Sequence, residues 1–171
     1  MERQVVVRER QDTDVDACGD LLRITHHQDG YPARLPDDPG DFIRSRDAIG
    51  AWVATCGDEV VGHVALRRSS SRPVMALAAE RTGLPASDYG VVGRLVVAPA
   101  VRGHGVGRRL LSTAASQARA RGLRPLLDVN AAQAAAVSLY ERAGWTRLGE
   151  VHVAFANGLH LDEFVYLGPE S

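Results

Sequence analysis

Three alternating glycines, Gly103, Gly105 and Gly107, carry the clearest chemical signal of the chain, and Arg102 and Arg108 flank them. Glycine has no Cβ, so the backbone N–H groups of such a turn can come close to a ligand. An amphipathic segment follows, and the N-terminus of a helix offers unpaired donors and partial positive charge. These residue types in this order predict a binding site for a phosphorylated cofactor.

A buried strand and a long helix must position this turn. Residues 91–98 are almost wholly apolar and β-branched, which is typical of a strand buried on both faces. Pro99 ends the run, because proline cannot donate to a sheet. Residues 105–121 carry apolar side chains at helical spacing, and Gly122 stands where a left-handed cap belongs. The sequence therefore predicts strand, turn and helix in succession.

Two common phosphate-binding motifs fit this stretch poorly. A P-loop requires a lysine after its second glycine, and the chain contains no lysine. A dinucleotide-binding loop places G-x-G-x-x-G directly after its strand, whereas residues 98–102 intervene here and Arg108 stands where the last glycine should fall. Asp128 lies at a distance that could imitate the ribose-binding acid of such folds, so an NAD-binding module stays an alternative.

The run 97–107, Val-Ala-Pro-Ala-Val-Arg-Gly-His-Gly-Val-Gly, resembles the acetyl-CoA pyrophosphate loop of the GNAT superfamily of N-acyltransferases. That loop has the pattern Arg/Gln-x-x-Gly-x-Gly/Ala. Residues 133–145, Gln-Ala-Ala-Ala-Val-Ser-Leu-Tyr-Glu-Arg-Ala-Gly-Trp, are similar to the second signature of the family, Asn-x-x-Ala-x-x-Leu-Tyr-x-x-x-Gly-Phe. The two motifs occur in the order of the family, with a predicted strand between them, and they cover the C-terminal half of the domain.

Length and composition indicate one domain spanning 1–171, with 45% hydrophobic and 24% charged residues. Strands alternate with helices in the middle and hairpins stand at both ends, which indicates a mixed α/β, α+β-like three-layer sandwich. The resemblance implies a GNAT-type fold with a central mixed sheet of about seven strands flanked by helices, splayed between the strands at 91–98 and 125–129. The predicted strands are 5–8, 51–56, 59–66, 91–98, 125–129, 145–155 and 159–167; the predicted helices are 13–27, 41–46, 73–82, 105–121 and 132–143.

The resemblance also implies which residues bind acetyl-CoA. Backbone groups of the central strand would pair with the pantetheine amides, and the glycine-rich turn would hold the pyrophosphate. Tyr140 matches the family tyrosine that donates a proton to the departing sulfur, so it is the implied catalytic residue. Gln133 stands where the family usually has Asn, which keeps an amide but changes its reach. The implied cofactor-binding residues are Leu95, Val96, Val97, Arg102, Gly103, His104, Gly105, Val106, Gly107, Arg108, Asn130, Gln133, Ala136 and Tyr140.

The general base that would deprotonate an acceptor amine stays open. Several family members place a carboxylate on the central strand, and this chain has Arg94 there. Histidine titrates near neutral pH, a carboxylate can be tuned toward it, and either could act through an ordered water. The candidates are Glu80, Asp88, Glu150, His26, His27, His152 or a water.

By resemblance, we expect an N-acetyltransferase that moves the acetyl group of acetyl-CoA directly to a primary amine, with a small molecule as the acceptor. The predicted helix 73–82 favours a closed acceptor pocket. An acid-rich entry region favours a cationic acceptor; its residues are Asp29, Asp37, Asp38, Asp41 and Asp47. A protein or peptide N-acetyltransferase and a non-catalytic acyl-CoA-binding sensor stay alternatives.

Charge and cysteine content limit the partners. The net charge of −1 gives no reason to expect nucleic acid or an anionic membrane. No apolar run approaches membrane-spanning length, and Cys18 and Cys56 lack metal-ligand spacing. We therefore expect a cytoplasmic protein without a metal cofactor, and the resemblance allows a homodimer.

Overall fold

The structure, a computed structural model, describes residues 4–171. The chain divides into two compact units. Unit 1 comprises the described residues as far as Leu66 together with Arg94–Ala114, and unit 2 comprises Arg67–Gly93 together with Ala115–Ser171. The strand that precedes the glycine-rich turn contributes its first half to unit 2 and its second half to unit 1.

The described residues form a mixed sheet of seven strands in the order β1-β2-β3-β4-β5-β7-β6. Strands β4 and β5 run parallel, while β1 with β2, β5 with β7 and β6 with β7 run antiparallel. The strands are β1 Val5–Glu9, β2 Ala48–Cys56, β3 Glu59–Arg67, β4 Tyr89–Val97, β5 Arg124–Asn130, β6 Thr146–Ala154 and β7 His160–Leu167. The α-helices are α1 Val15–Asp29, α2 Pro39–Arg44, α3 Arg72–Thr82, α4 Val106–Ala120 and α5 Ala134–Arg142.

Every helix and strand predicted from the sequence is present, and the shifted boundaries have local causes. Helix α1 begins at Val15 instead of residue 13, because Asp14 accepts hydrogen bonds from the Gln11 N–H and the Arg8 guanidinium and fixes a single 3-10 turn before the helix. Helix α5 begins at Ala134 instead of residue 132. There the Asn130 side chain accepts the Ala132 N–H and holds the chain in a turn.

Two small apolar clusters belong to the core of unit 1. One joins Val15 and Cys18 of α1 to Ile43 of α2 and Val53 of β2. Burial raises the pKa of the Cys18 thiol to about 12, so this cysteine stays a neutral packing residue, as its isolated position in the sequence predicts. The second cluster packs Leu21 and Leu22 of α1 against Val96 of β4, and so ties the second half of β4 to α1.

The core of unit 2 forms where α3 covers one face of the sheet. Val74 and Ala78 of the helix pack against Val91 of β4, Leu126 of β5 and Val165 of β7, and all five are buried. Proline at the first turn and a left-handed glycine after the last residue bound α3, as the sequence predicts. Helix α3 is therefore packed directly on this face of the sheet.

Strand β4 is not uniformly buried, so the prediction of a strand covered on both faces along 91–98 is wrong for its second half. Its parallel register with β5 runs from Tyr89↔Arg124 to Val91↔Leu126. Arg94 then adopts φ +53°, a conformation that costs energy for a residue with a side chain. The residues from Gly93 to Leu95 are only partly buried. A local irregularity therefore divides the strand.

Replacing Leu126 by Ala tests the α3-covered core. Leu126 is fully buried, and Leu126→Ala should lower the free energy of unfolding by about 2–5 kcal/mol through lost burial and a cavity. Urea unfolding followed by circular dichroism measures the change. Ile24→Ala is the control, because Ile24 is 46% exposed and its removal should cost less than about 0.5 kcal/mol. Equal losses in both variants would contradict the assignment of Leu126 to the core.

Candidate active site

In unit 1 the glycine-rich turn has the conformation that an anion-binding turn requires. Gly103 and Gly105 have φ +80° and +76°, where glycine avoids the strain of a side chain. A Cβ built on either residue meets no described atom within 4 Å. Helix α4 begins at Val106, so its first N–H groups and its positive dipole end stand at this turn. Unit 1 therefore presents an open donor-rich turn.

Arg102 anchors the turn to its own unit. Its guanidinium donates to the Val97 carbonyl at 3.2–3.3 Å and to the Asp29 carboxylate at 2.5 Å. The bond to Arg102 lowers the pKa of Asp29. Arg108, at the start of α4, is exposed. Arg102 thus holds the turn against β4 and the end of α1, while the Arg108 charge stays open to solvent.

The acidic entry region expected from the sequence is largely engaged in local structure. Asp29 is the partner of Arg102, Asp38 caps α2 by accepting the Asp41 N–H, and Asp47 accepts from the Ser45 hydroxyl. Asp41 lies 3.9 Å from the Arg44 guanidinium. These contacts explain the carboxylates without an acceptor, so they no longer argue for a cationic substrate.

The second half of β4 carries the strand residues expected to meet pantetheine. Val96 is buried in the cluster with α1, whereas Leu95 and Val97 are partly exposed. The Ala98 N–H that follows is already paired with the Val61 carbonyl. In unit 1 the structure therefore brings together β4, the glycine turn and the start of α4. His104 is exposed there, and its ring nitrogen lies 3.0 Å from the Arg102 carbonyl.

A buried histidine supports the irregular backbone of β4. His63 of β3 is fully buried, its Nδ1 lies 2.9 Å from the Arg94 carbonyl, and its Nε2 lies 3.1 Å from Nη1 of Arg10. A guanidinium only donates, so Nε2 must accept and Nδ1 must carry the proton. His63 is packed inside the strand layer, and it also holds the Arg94 carbonyl.

The Arg94 side chain turns toward α2. Its Nε donates to the Phe42 carbonyl at 3.1 Å, and its guanidinium carbon lies 3.7 Å from the centroid of the Phe42 ring. A guanidinium stays protonated at neutral pH and cannot accept a proton. Arg94 therefore cannot replace a strand carboxylate as a base.

In unit 2 the predicted residues of β5 and α5 come together. Tyr140 of α5 is 8% exposed, and its ring lies between Trp145 and Tyr166, with centroids 6.4 and 5.9 Å away. The Tyr166 hydroxyl donates to Glu141 and accepts from Arg147. The tilted rings of Trp145 and Tyr166 pack against the Tyr140 ring and hold it in place. The Tyr166 hydroxyl is bonded to both members of the Glu141–Arg147 ion pair.

Asn130, Gln133 and Ala136 lie at the junction of β5 and α5. The Asn130 side chain accepts the Ala132 N–H, and its carbonyl accepts the Gln133 N–H. All three residues are only partly buried. The second motif thus forms a turn followed by the start of α5, whereas the sequence predicts a helix from residue 132.

Most of the residues that the sequence offers as the general base are exposed to solvent. Glu80, Asp88, Glu150 and His152 are exposed in unit 2, and the two nitrogens of His152 contact Asp162 and His160. In unit 1, the ring of His26 contacts the Pro32 carbonyl, and His27 is exposed.

Sequence reasoning missed a pair of carboxyl groups in unit 2, Asp128 on β5 and Glu163 on β7. The Ser70 hydroxyl donates to Asp128 at 2.6 Å, and Glu163 is only 7% exposed. Burial, followed by the charge of Asp128 and a hydrogen bond to it, raises the pKa of Glu163 to about 8. One signal was available, because Glu163 interrupts the inward apolar series of Leu161, Val165 and Leu167.

Two kinds of feature are absent from the described residues. None of the helices in residues 4–171 has the length and hydropathy of a membrane span. Within the same residues, no group of three or more His, Cys, Asp or Glu side chains is arranged to hold a metal ion.

Comparisons with known proteins agree with this geometry. Residues 19–145 match the model of the acetyltransferase (GNAT) family. An IAA acetyltransferase of Azospirillum brasilense is 42% identical over 62 residues, a match that covers 36% of this chain and only 40% of that protein. YncA of Salmonella typhimurium, in a structure with its cofactor acetyl-CoA, superposes with a TM-score of 0.73 at 19% identity, over 98% of this chain and 95% of that one. The ribosomal-protein-S18-alanine N-acetyltransferase of Escherichia coli gives 0.69 at 18% identity, again over 98% and 95%.

Buried His63 should make the fold sensitive to acid. Burial lowers the pKa of His63 from 6.5 to about 4, so between these values the unfolded chain binds a proton that the folded chain refuses. The stability contribution is complete above pH 6.5 and is lost as the pH falls toward 4. The loss should reach about 3 kcal/mol, since one pKa unit corresponds to 1.36 kcal/mol.

His63→Asn keeps a donor for the Arg94 carbonyl and removes the titration. It should be less stable at pH 7 but lose less of its remaining stability between pH 6.5 and 4, measured by urea unfolding at each pH. His27→Asn is the control, because His27 is exposed and the acid loss should persist without it. An unchanged pH slope in His63→Asn would show that the acid sensitivity arises elsewhere.

Proposed function

The chain belongs to the acetyltransferase (GNAT) family, and from that premise we propose that it moves the acetyl group of acetyl-CoA directly to a primary amine of a small molecule. The observation that carries the proposal is the glycine-rich turn before α4. Two glycines with positive φ and free Cβ positions expose N–H groups at a helix N-terminus, which is the arrangement that binds pyrophosphate without a metal.

The cofactor roles follow from the two signatures. The backbone of 102–108 binds the pyrophosphate, with Arg108 adding charge and Arg102 holding the turn in place. Backbone groups of Leu95–Val97 pair with the amides of pantetheine. Asn130, Gln133 and Ala136 provide contacts from β5 and α5. Acetyl-CoA supplies the activated acetyl thioester, and no metal is needed for the transfer.

The chemistry sets two tasks besides removal of a proton from the amine. The oxyanion of the transition state needs a donor aimed at it, and we assign this to a strand N–H near Val97. The departing thiolate leaves more easily when it is protonated, and we assign this to the Tyr140 hydroxyl. The packing of Trp145 and Tyr166 against the Tyr140 ring supports the assignment, because a catalytic proton donor must be held in one orientation.

Two observations bear on the class of acceptor. A small amine suits unit 2, where α3 packs on β4, β5 and β7 and adds a wall. A protein acceptor is the second candidate, because one structure with the same fold is named as a ribosomal-protein-alanine N-acetyltransferase. A screen of small amines beside peptides with free N-termini, followed by release of the CoA thiol, separates the two. An absence of thiol release with every acceptor, together with acetyl-CoA binding, would favour a non-catalytic sensor.

Acetyl-CoA should raise the thermal midpoint, and NAD should not. Ligand at about a hundredfold over its Kd stabilises the native state by about 2.7 kcal/mol, which corresponds to roughly 5–10 °C for a domain of this size. Gly105→Ala should weaken acetyl-CoA binding about tenfold, because a Cβ at φ +76° costs roughly 1–2 kcal/mol and intrudes on the bound phosphates.

Gly158→Ala is the matched control for this measurement. Gly158 has φ +84° in the turn between β6 and β7, also with no described atom near its Cβ. The backbone strain is therefore comparable, and acetyl-CoA affinity should stay at the wild-type value. A midpoint raised by NAD alone would replace the proposal by a dinucleotide-binding function.

Tyr140→Phe should lower kcat by about 10²–10³-fold with little change in the KM for acetyl-CoA, because general acid catalysis contributes about that much. The matched control is Tyr166→Phe. It removes the hydroxyl of a ring that packs on Tyr140. That hydroxyl is hydrogen-bonded to Glu141 and Arg147, so kcat should fall less than about threefold. Thiol release under saturating acetyl-CoA measures both. Wild-type turnover by Tyr140→Phe would remove the residue from the mechanism.

A further inference from the structure

We propose that Asp128, sharing a proton with Glu163, is the general base that takes the proton from the ammonium group of the acceptor. This inference rests on the proposed function and names the residue that the sequence left open. It also narrows the acceptor to aliphatic amines that arrive protonated. The groups that transfer protons in this proposal, Asp128, Glu163 and Tyr140, belong to unit 2.

Strand register places the two carboxyl groups on one face of the sheet. Asp128 of β5 stands opposite Val165 of β7, and Asn130 stands opposite Glu163. Residues directly opposite each other share a face, and so do residues two apart on one strand. Asp128 and Glu163 are therefore diagonal neighbours. At this spacing two carboxyl side chains can share one proton, because two carboxylates only accept and one of them must be protonated to donate.

The surroundings assign that proton to Glu163. Glu163 is 7% exposed, and burial penalises a charge. Asp128 is half-buried and accepts the Ser70 hydroxyl at 2.6 Å. Burial therefore disfavours the charged form of Glu163, and Asp128 is the member of the pair that solvent or a substrate can reach.

The start of α3 offers a second, independent sign of a ligand on this face. Leu126, two residues before Asp128, packs against Val74 and Ala78, so Asp128 points to the face that α3 covers. Ser71 follows Ser70 and caps α3. Its hydroxyl is buried and has no hydrogen-bond partner among the described residues. A buried hydroxyl rarely stays unpaired unless a water or ligand completes it.

Several other charged residues lie on the segments packed around the pair. Val151 stands opposite Glu163 on β6, and alternation directs His152 and Asp162 to the other face. The Arg67 side chain lies over Gly93 of β4. The remaining charged residues of the segments packed on this face are Arg68, Arg72, Glu80 and Arg81, with Arg124 on β5 itself. Asp128 is the group whose charge, after burial, raises the pKa of Glu163.

Asp128 takes one proton from the R–NH3+ group and passes it to water after the product leaves. The freed nitrogen lone pair attacks the thioester carbon, so that the C–N bond forms and the C–S bond breaks. Tyr140 gives its proton to the sulfur and regains one from the nitrogen as the amide forms. One ammonium ion and one thioester thus give one amide, one thiol and one proton.

The test compares two acceptors of similar shape, an alkylamine that is protonated at pH 7 and a fluorinated analogue that is neutral there. With the alkylamine, Asp128→Asn should lower kcat/KM by about 10²–10⁴-fold, the usual contribution of a general base. With the neutral amine the loss should shrink to less than about tenfold, because no proton has to be removed before attack. A merely structural role would give the same loss with both amines.

Three further variants test the role of Asp128. Asp128→Glu keeps the carboxylate and should regain part of the activity with the alkylamine. Glu163→Gln keeps a donor to Asp128, and it should abolish the change in kcat/KM near pH 8 that ionisation of Glu163 causes; this arm also decides the matter if Asp128→Asn does not fold. Asp162→Asn, on the opposite face and bonded to His152, is the matched control and should match wild type.

The two proposals fail differently. A wild-type protein without an acetyl-CoA-dependent thermal shift or thiol release would refute the proposed acetyltransferase function. Normal wild-type turnover, together with wild-type kcat/KM in Asp128→Asn or an equal loss with both amines, would refute the role of Asp128 and leave the acetyltransferase function standing.

Discussion

The hydrogen bond from the His63 ring to the Arg94 carbonyl is the constraint on which unit 1 depends. A backbone at φ +53° is unfavourable for arginine and persists only where the surroundings over-determine it. Here a buried imidazole, fixed in one tautomer by Arg10, holds the carbonyl, and the Arg94 side chain binds the Phe42 carbonyl of α2. The irregular backbone at Arg94 is thus stabilised through both the carbonyl and the side chain of this residue.

Unit 2 distributes its polar groups differently. On the face of the sheet where α3 packs, burial and the neighbouring charge of Asp128 raise the pKa of Glu163. On α5 the ring of Tyr140 is held by aromatic neighbours, and the ion pair of Glu141 and Arg147 is confined to Tyr166. The carboxyl pair of Asp128 and Glu163 and the hydroxyl of Tyr140 therefore lie in different environments, one beside carboxyl groups and one among aromatic rings. Different environments are how a fold separates the pKa of an acid from that of a base.

Particular elements show how far sequence patterns reach. The alternating glycines, the buried strand before them and the long helix after them follow from local rules of backbone freedom and periodicity, and all three are present. The second half of β4 deviates because its irregular backbone is stabilised by His63, 31 residues away along the chain. The acidic residues near Asp29 looked like a substrate-facing cluster, and the fold engages them in capping and ion pairs.

The sequence by itself determined the order of helices and strands, the glycine turn and the aromatic motif that identify an acetyltransferase, because each depends on neighbours within one turn or strand. Only the tertiary structure decided that Asp128 and Glu163 form a pair. They are 35 positions apart in the sequence, and their meeting requires the register of β5 against β7. The shift in the pKa of Glu163 requires the burial that α3 and the sheet provide together. Register and burial arise from packing between distant segments, and no local pattern encodes them.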